Sequence, residues 1–390
     1  MKPPIIRLAK WRYLLCVVLF SVVSVYLARV GYSIVHWKAY IWLPGYLTAP
    51  LEVRLGGQPE HLIFVMVNHY EPGFGDAGLK LHQRWTKAFL PIASGHYDSY
   101  GNRFKCSWFY PYDQKHDRVL AGLASLAYEG FGEVELHWHH PRASNETFER
   151  MLESALPWFH RYGALISSAE DQAAQFAFIH GNWCLDNSTP LCGVTRELDI
   201  LRKHGCYADL TFSTIGTDAQ PSKVNAIYYA RDSDGSKSYD TGIDVAVGRK
   251  QSDALMMIEG PIRIDWNGHM NYGAVESYAL PTAKSIDQWI DANVHVLGRP
   301  EWVFVKVSTH GLQSLDIVED GHLDSMLSDL RSICDRRRLH VHYMTARECY
   351  NVIKATEDGR SGNPEEFRDY LLAKPRNLVT RPPAASASGR

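Results

Sequence analysis

The chain is short of the features that mark several common classes. Lys+Arg number 41 against 43 Asp+Glu, leaving a net charge of −2. The basic footprint that holds a phosphate backbone is therefore missing, and no nucleic-acid partner is expected. The seven cysteines are irregularly spaced and form no C-x-x-C pair, which argues against a zinc knuckle. No internal repeat is visible. Low hydrophobicity with high net charge is also absent: 45% hydrophobic and 22% charged residues exclude disorder along the whole chain. What stands out instead is 18 histidines and 11 tryptophans in 390 residues, the commonest metal ligand and a side chain suited to stacking on sugars.

Residues 13–28 carry no charge, Arg29 interrupts the run, and residues 30–35 continue it. If Arg29 snorkels to the interface, residues 13–35 reach about 34 Å, enough to cross a bilayer. Lys2, Arg7, Lys10 and Arg12 precede the run without an acidic residue among them. This places a cytoplasmic basic segment at 1–12, an anchor at 13–35 and the remaining chain outside the cytoplasm, periplasmic in a bacterium. A cleaved signal peptide fits less well, because cleavage after Ala28 would put bulky Tyr26 at the −3 position. Trp37, Tyr40, Trp42 and Tyr46 then read as an interfacial aromatic belt within a linker at 36–60. With Cys16 assigned to the membrane, six cysteines remain. Cys184 and Cys192 are near enough to pair, although two buried thiols fit the sequence equally well.

From residue 61 onward, short β-branched and aromatic runs alternate with stretches of helical period. Strands are expected at 61–67, 103–110, 133–139, 175–180, 206–212, 302–308 and 339–344. Ser144, Thr195 and the capping box Thr345-Ala-Arg-Glu348 mark helix starts. Repeated strand–helix alternation predicts an α/β fold with a parallel sheet, and a (β/α) barrel, complete or incomplete, is preferred over a dinucleotide-binding Rossmann domain. Residues 213–280, rich in Asp, Gly, Ser and Asn, break the rhythm and read as an insertion of hairpins and loops over the rim. The barrel is bounded at 61–357. Residues 358–390 read as a disordered tail.

In such a barrel, functional side chains gather where strands end. Asn68-His69-Tyr70-Glu71, Tyr110-Pro111-Tyr112-Asp113, His137-Trp138-His139-His140-Pro141, His180-Gly181-Asn182-Trp183-Cys184-Leu185-Asp186 and Ser308-Thr309-His310 all fall there. On a strand, residues two apart share a face, so His137 and His139 present two imidazoles to one spot, while His140 faces away unless the backbone turns. Two imidazoles, a carboxylate from Glu71 and an open position make a catalytic zinc pattern that also suits other borderline divalent metals. His69 or His140 is a substitute ligand. Opposite such a site, His310 is a candidate proton donor. Trp183 can stack on a sugar, whereas Trp108 reads as core.

The order of these segments resembles the polysaccharide deacetylase superfamily, the NodB-homology or carbohydrate esterase family 4 proteins. GEVELHWHHP is similar to the L-H-x-H-P segment of a divergent branch, and FAFIHGNWCLDNS with ELDILRKHGCYADLTF is similar to that branch's F-R-A-G-G-W turn and the helix and strand behind it. FVKVSTHG and HVHYMTARECYN resemble its closing segments, so the likeness runs from about residue 62 to 354. The resemblance implies a distorted (β/α)7 barrel, one divalent metal and hydrolysis of an N- or O-acetyl group on a glycan. The family's T-F-D-D is replaced by VNHYEP. Glu71 can take the ligand's place, but no Asp occupies the base position, where His69 is the substitute. The arginine that orients the family's base is replaced within His180-Gly181-Asn182. Asn182, Trp183, Asp186, Tyr110 and Asp113 are the expected substrate-binding residues.

Two further readings remain. A catalytically inactive barrel would bind glycan or assist polysaccharide export. A glycoside hydrolase on a related barrel would pair Glu71 with Asp113 or Asp186 as its two carboxylates.

Overall fold

The computed structural model describes residues 4–57, 59–167, 173–265 and 268–385, with side chains from residue 11 onward. Lys2, the side chains of Arg7 and Lys10, and the last five residues of the expected tail lie outside the described residues. The first helix, Pro4–His36, contains a stretch, Trp11–His36, long and apolar enough to cross a membrane.

Among the described residues twelve strands follow: β1 His61–His69, β2 Cys106–Pro111, β3 Gly132–Trp138, β4 Phe176–His180, β5 Cys206–Asp209, β6 Ile227–Ala230, β7 Ile243–Asp244, β8 Leu255–Ile258, β9 Ile262–Ile264, β10 Met270–Tyr272, β11 Trp302–Thr309 and β12 His340–Met344. Ten of them form one sheet in the order β11-β1-β2-β3-β4-β5-β8-β6-β7, with β12 also paired to β1. The pairings from β11 through to β8, and that of β12, are parallel. Every residue of β1 is buried, as expected for a central parallel strand covered on both faces.

The fold is therefore mixed α/β with a mostly parallel sheet, and among the described residues no pairing closes it into the expected barrel. The reason lies after β5. There the chain makes antiparallel β6–β7 and β6–β8 pairs instead of another strand–helix crossover, and the free edge of β11 meets only an isolated parallel bridge between Ser308 and Ala274. This also corrects the reading of 213–280 as a rim insertion alone: β8 is a member of the sheet, parallel to β5.

One face of the sheet packs against helices Gly75–Gly95, Asp117–Tyr128, Asn145–His160, Glu197–Lys203, Ala283–Asp291 and His322–Arg337 through residues such as Trp85, Phe89, Leu123, Phe148, Leu201, Trp289 and Leu327. The other face gathers Ile63, Val65, Val67, Ile179, Ala208 and Met256, and helix Ala346–Glu357 adds Cys349, Val352 and Ile353 to that cluster. Two expected caps form, Ser144 accepting from the Thr147 amide and Thr345 with Glu348 closing a capping box. Thr195 does not cap; its hydroxyl accepts from Asn187 instead.

Residues 73–78, GFGDAG, carry the G-x-G-x-x-G spacing at the β1–helix junction, a signal the barrel reading passes over. Gly73 and Gly75 have positive φ, the Gly73 amide is occupied by Gln114, and the carboxylate after β2, Asp113, holds His139 instead of facing this loop.

Two termini differ from expectation. Trp42 is 0% exposed, because helix Ala39–Thr48 docks it against Ile215, Val224 and Ile262; it is a core residue and not part of an aromatic belt. The segment read as a disordered tail packs back on the domain as far as helix Arg376–Val379. Arg368 bonds Glu348, Asp98 and Glu365, and the backbone amide of Asn377 donates to Gly163.

Candidate metal centre

Parallel strands deliver their carboxyl ends to one rim, and β1, β3 and β11 end in histidine-rich turns there. Three imidazoles converge on one carboxylate oxygen: Glu71 Oε1 lies 3.2 Å from His137 Nε2, 3.6 Å from His139 Nε2 and 3.9 Å from His310 Nε2. Donor atoms of His69, Glu71 and His137 all lie within 4.8 Å of one another. The geometry thus brings together Glu71 and His137 with two neighbours, His139 and His69, from which a third ligand can come.

Each converging imidazole is keyed from behind. His137 Nδ1 is 2.7 Å from the Ile179 carbonyl, His139 Nδ1 is 3.2 Å from Asp113 Oδ2, and His310 Nδ1 is 2.8 Å from Glu276 Oε1. A carbonyl or carboxylate only accepts, so each Nδ1 is the donor and each Nε2 is turned to the rim. Outer partners of this kind fix the tautomer and orientation of metal-binding histidines. Gln313 Nε2 donates to Glu71 Oε2 at 2.8 Å, which aims the other oxygen at the histidines. Two keyed imidazoles and a carboxylate suit a borderline divalent ion such as zinc.

Electrostatics agree with this geometry. Burial alone would raise the Glu71 carboxyl, but His137 and His139 hold it well below the usual carboxylate range. Burial opposes the charged form of His139, yet Asp113 and Glu71 push it up to about 9. His310 is likewise raised by Glu276 against the effect of burial. His69 is pushed well down by burial, then by His310 and His137. Its ring centre is 4.3 Å from that of His310.

The expected substrate residues scatter. Asn182 is exposed and Trp183 half-buried, its ring centre 6.5 Å from that of His310. Asn182, Trp183, Asp186 and Asn187 all have positive φ, so the turn after β4 is wound tightly. Asp113 is engaged by both the amide and the ring of His139. Two expectations are corrected. Tyr110 is 0% exposed, with its hydroxyl donating to the Gln114 carbonyl and its ring against Trp158. Asp186 is also 0% exposed and accepts from the Ser238 amide. Strand alternation puts Tyr110 into the outer core, and the tight turn after β4 encloses Asp186, so neither offers an exposed group to a substrate. His140 faces away from the rim, toward Glu197, and does not serve as a rim ligand.

Glu276 and Gln313 are the residues missed from the sequence. Glu276 comes from the segment read as an insertion, and its partners, His310 and Ser314, lie on the far side of a helix and a strand, so no local spacing signals the contact. The Cys184–Cys192 disulfide, left open above, is formed; Cys16, Cys106, Cys206, Cys334 and Cys349 are free.

No protein-family model matches the chain, and no curated protein matches it. Among solved structures, a Parabacteroides distasonis protein provisionally described as a glycoside hydrolase/deacetylase aligns with 75% of this chain and 70% of its own, at 10% identity and a TM-score of 0.38. Neither fold nor activity follows from so distant a likeness.

Proposed function

We propose that the chain is a membrane-anchored, divalent-metal-dependent hydrolase that removes acyl groups, acetyl foremost, from a polysaccharide outside the cytoplasm. The observation that carries this reading is the convergence of His137, His139 and His310 on Glu71 at the strand ends, each imidazole keyed from behind. Glu71, His137 and His139 would hold the ion, with His69 as substitute, and zinc is the first candidate. Bound there, the ion would supply Lewis-acid polarisation of the acyl carbonyl and a more acidic water.

The chain's own groups supply the rest. His69, kept neutral by burial and by its histidine neighbours, takes the proton of the attacking water. His310, oriented by Glu276, delivers a proton to the departing amine or alkoxide. Trp183 offers a flat face to a sugar ring, and exposed Asn182 a hydrogen-bonding edge, beside His310. The apolar N-terminal helix supports the anchor, the basic residues before it support an outside domain, and a disulfide suits an oxidising compartment.

A glycosidase is less well supported, since the candidate second carboxylates are engaged: Asp113 is taken by His139, Glu276 by His310, and Asp186 is buried. The test is acetate release from N-acetylglucosamine oligomers by the purified chain with and without added zinc. His310→Asn should lower kcat by about 10²–10⁴-fold while leaving bound zinc unchanged. Zinc bound without turnover on a broad panel of acetylated glycans would instead favour a glycan-binding or export-accessory role, and new reducing ends would favour the glycosidase.

A further inference from the structure

Behind the rim, and independent of its chemistry, a second cluster joins three elements: His140 after β3, His180 at the end of β4, and Glu197 at the start of helix Glu197–Lys203. All three side chains are wholly buried. Glu197 Oε1 lies 2.8 Å from His140 Nε2 and 3.3 Å from His180 Nε2. The donor atoms of all three lie within 4.8 Å of one another.

The protons do not balance in this cluster. His140 Nδ1 faces the Pro141 carbonyl at 3.0 Å, and His180 Nδ1 faces the Gly181 carbonyl. Both Nδ1 atoms must therefore be donors, which leaves both Nε2 atoms as lone pairs in the neutral rings. Glu197 holds its other oxygen, Oε2, under the amides of Asp186 and Val194 at 2.8 and 3.2 Å, so Oε1 is aimed between the two imidazoles. A single proton on His140 satisfies one contact. His180 Nε2 is then a buried acceptor facing another acceptor, and it makes no hydrogen bond. Two imidazoliums would place two charges in the dry interior against one carboxylate, which burial penalises. One divalent cation resolves all three atoms at once. At metal–ligand bonds of about 2.0–2.2 Å, tetrahedral ligand atoms stand about 3.3 Å apart, close to the separations seen here. The backbone carbonyls on both Nδ1 atoms and the amides on Glu197 are the outer contacts that orient metal ligands.

The geometry points to a second, fully buried divalent-cation site formed by His140, His180 and Glu197, structural in role and separate from the rim. Its place in the chain gives it a consequence. His139 and His140 are adjacent and face opposite ways, and Gly181, next to His180, packs directly against the His139 ring. An ion at the inner site would clamp the end of β3, where His137 and His139 stand, to the end of β4.

The experiment measures zinc per chain in the full-length protein in detergent, after chelation and reloading with zinc alone. The background is Glu71→Ala with His139→Ala, which removes the rim carboxylate. That variant should retain about one bound zinc. Adding Glu197→Gln, which keeps the oxygen under the Asp186 and Val194 amides, should abolish it, as should His180→Gln in case the first change prevents folding. In the otherwise wild-type chain, each inner substitution should remove one zinc and leave the rim zinc in place. Chelation should also lower the melting temperature of the rim-deficient chain, and zinc should restore it. A rim-deficient chain that takes up no zinc, or one whose zinc content is unchanged by both inner substitutions, would overturn the proposal.

Discussion

Gly181 shows how a single position governs the rim. A Cβ built there would stand 2.4 Å from His139 Cδ2 and 2.7 Å from His139 Cα, a separation that no rotamer change relieves, because the backbone itself is in the way. Gly181→Ala should therefore displace His139 and weaken zinc binding about 10–100-fold, the usual cost of disturbing a ligand's support. Asn182→Ala, at the exposed neighbouring position, should leave zinc binding unchanged. A competition titration with a chromophoric chelator separates the two. Asp113→Asn belongs with Gly181→Ala: it keeps the shape but removes the charge behind His139 Nδ1, and a similar loss is expected. At this scale the sequence exposes His137 and His139 through their spacing, because strand alternation is a local rule. It does not expose Asp113 as the support of His139, or Glu276 behind His310, because those pairings cross between elements.

Among the elements, helix Ala346–Glu357 ties the inner face of the sheet to the C-terminal segment. Its start is written locally, and loss of the Thr345 cap through Thr345→Ala should cost about 1 kcal/mol in a denaturant titration. Its central contact is not local: Arg347 reaches Glu133 of β3 at 2.9 Å, both buried. Arg347→Ala leaves that carboxylate uncompensated and should cost about 3–5 kcal/mol, whereas replacing both partners by apolar residues should cost much less. Two residues further along β3, Glu135 is pushed up to about 8, by burial first and then by Glu133, despite bonds from Tyr207 and the Ala177 amide. Its folded value lies above the unfolded one, so its stabilising contribution is complete below about pH 4.3 and is lost as pH rises through about 8. Thermal melts should show the wild-type chain losing stability between pH 5 and 9, and Glu135→Gln should flatten that slope.

For the molecule as a whole, the ends of the chain decide what can be removed. A chain beginning at residue 37 keeps Trp42 in its cradle of Ile215, Val224 and Ile262 and should be soluble and folded. One beginning at residue 61 uncovers that apolar cradle and should aggregate, as size-exclusion chromatography will show. Truncation after residue 358 removes Arg368 and leaves Glu348 and Asp98 short of a cation. That loss should lower the melting temperature by more than about 5 °C. A disordered tail would leave it unchanged.

The amino-acid sequence by itself determined what local rules can carry. The apolar N-terminal helix, the seven strands from residue 61 onward, the Thr345 capping box and the histidine pair all follow from runs and periods of a few residues, where side-chain direction is set by the backbone. Tertiary structure decided the rest. Whether the sheet closes depends on what the chain does after β5, where an antiparallel hairpin takes the place of a crossover. Whether residues 358–379 are ordered depends on charges at Asp98 and Glu348, far back or across a turn. His140 faces Glu197, and Tyr110 and Asp186 are buried, because the packing of strands and turns encloses them. These outcomes rest on contacts between distant segments, and only the folded chain brings those segments together.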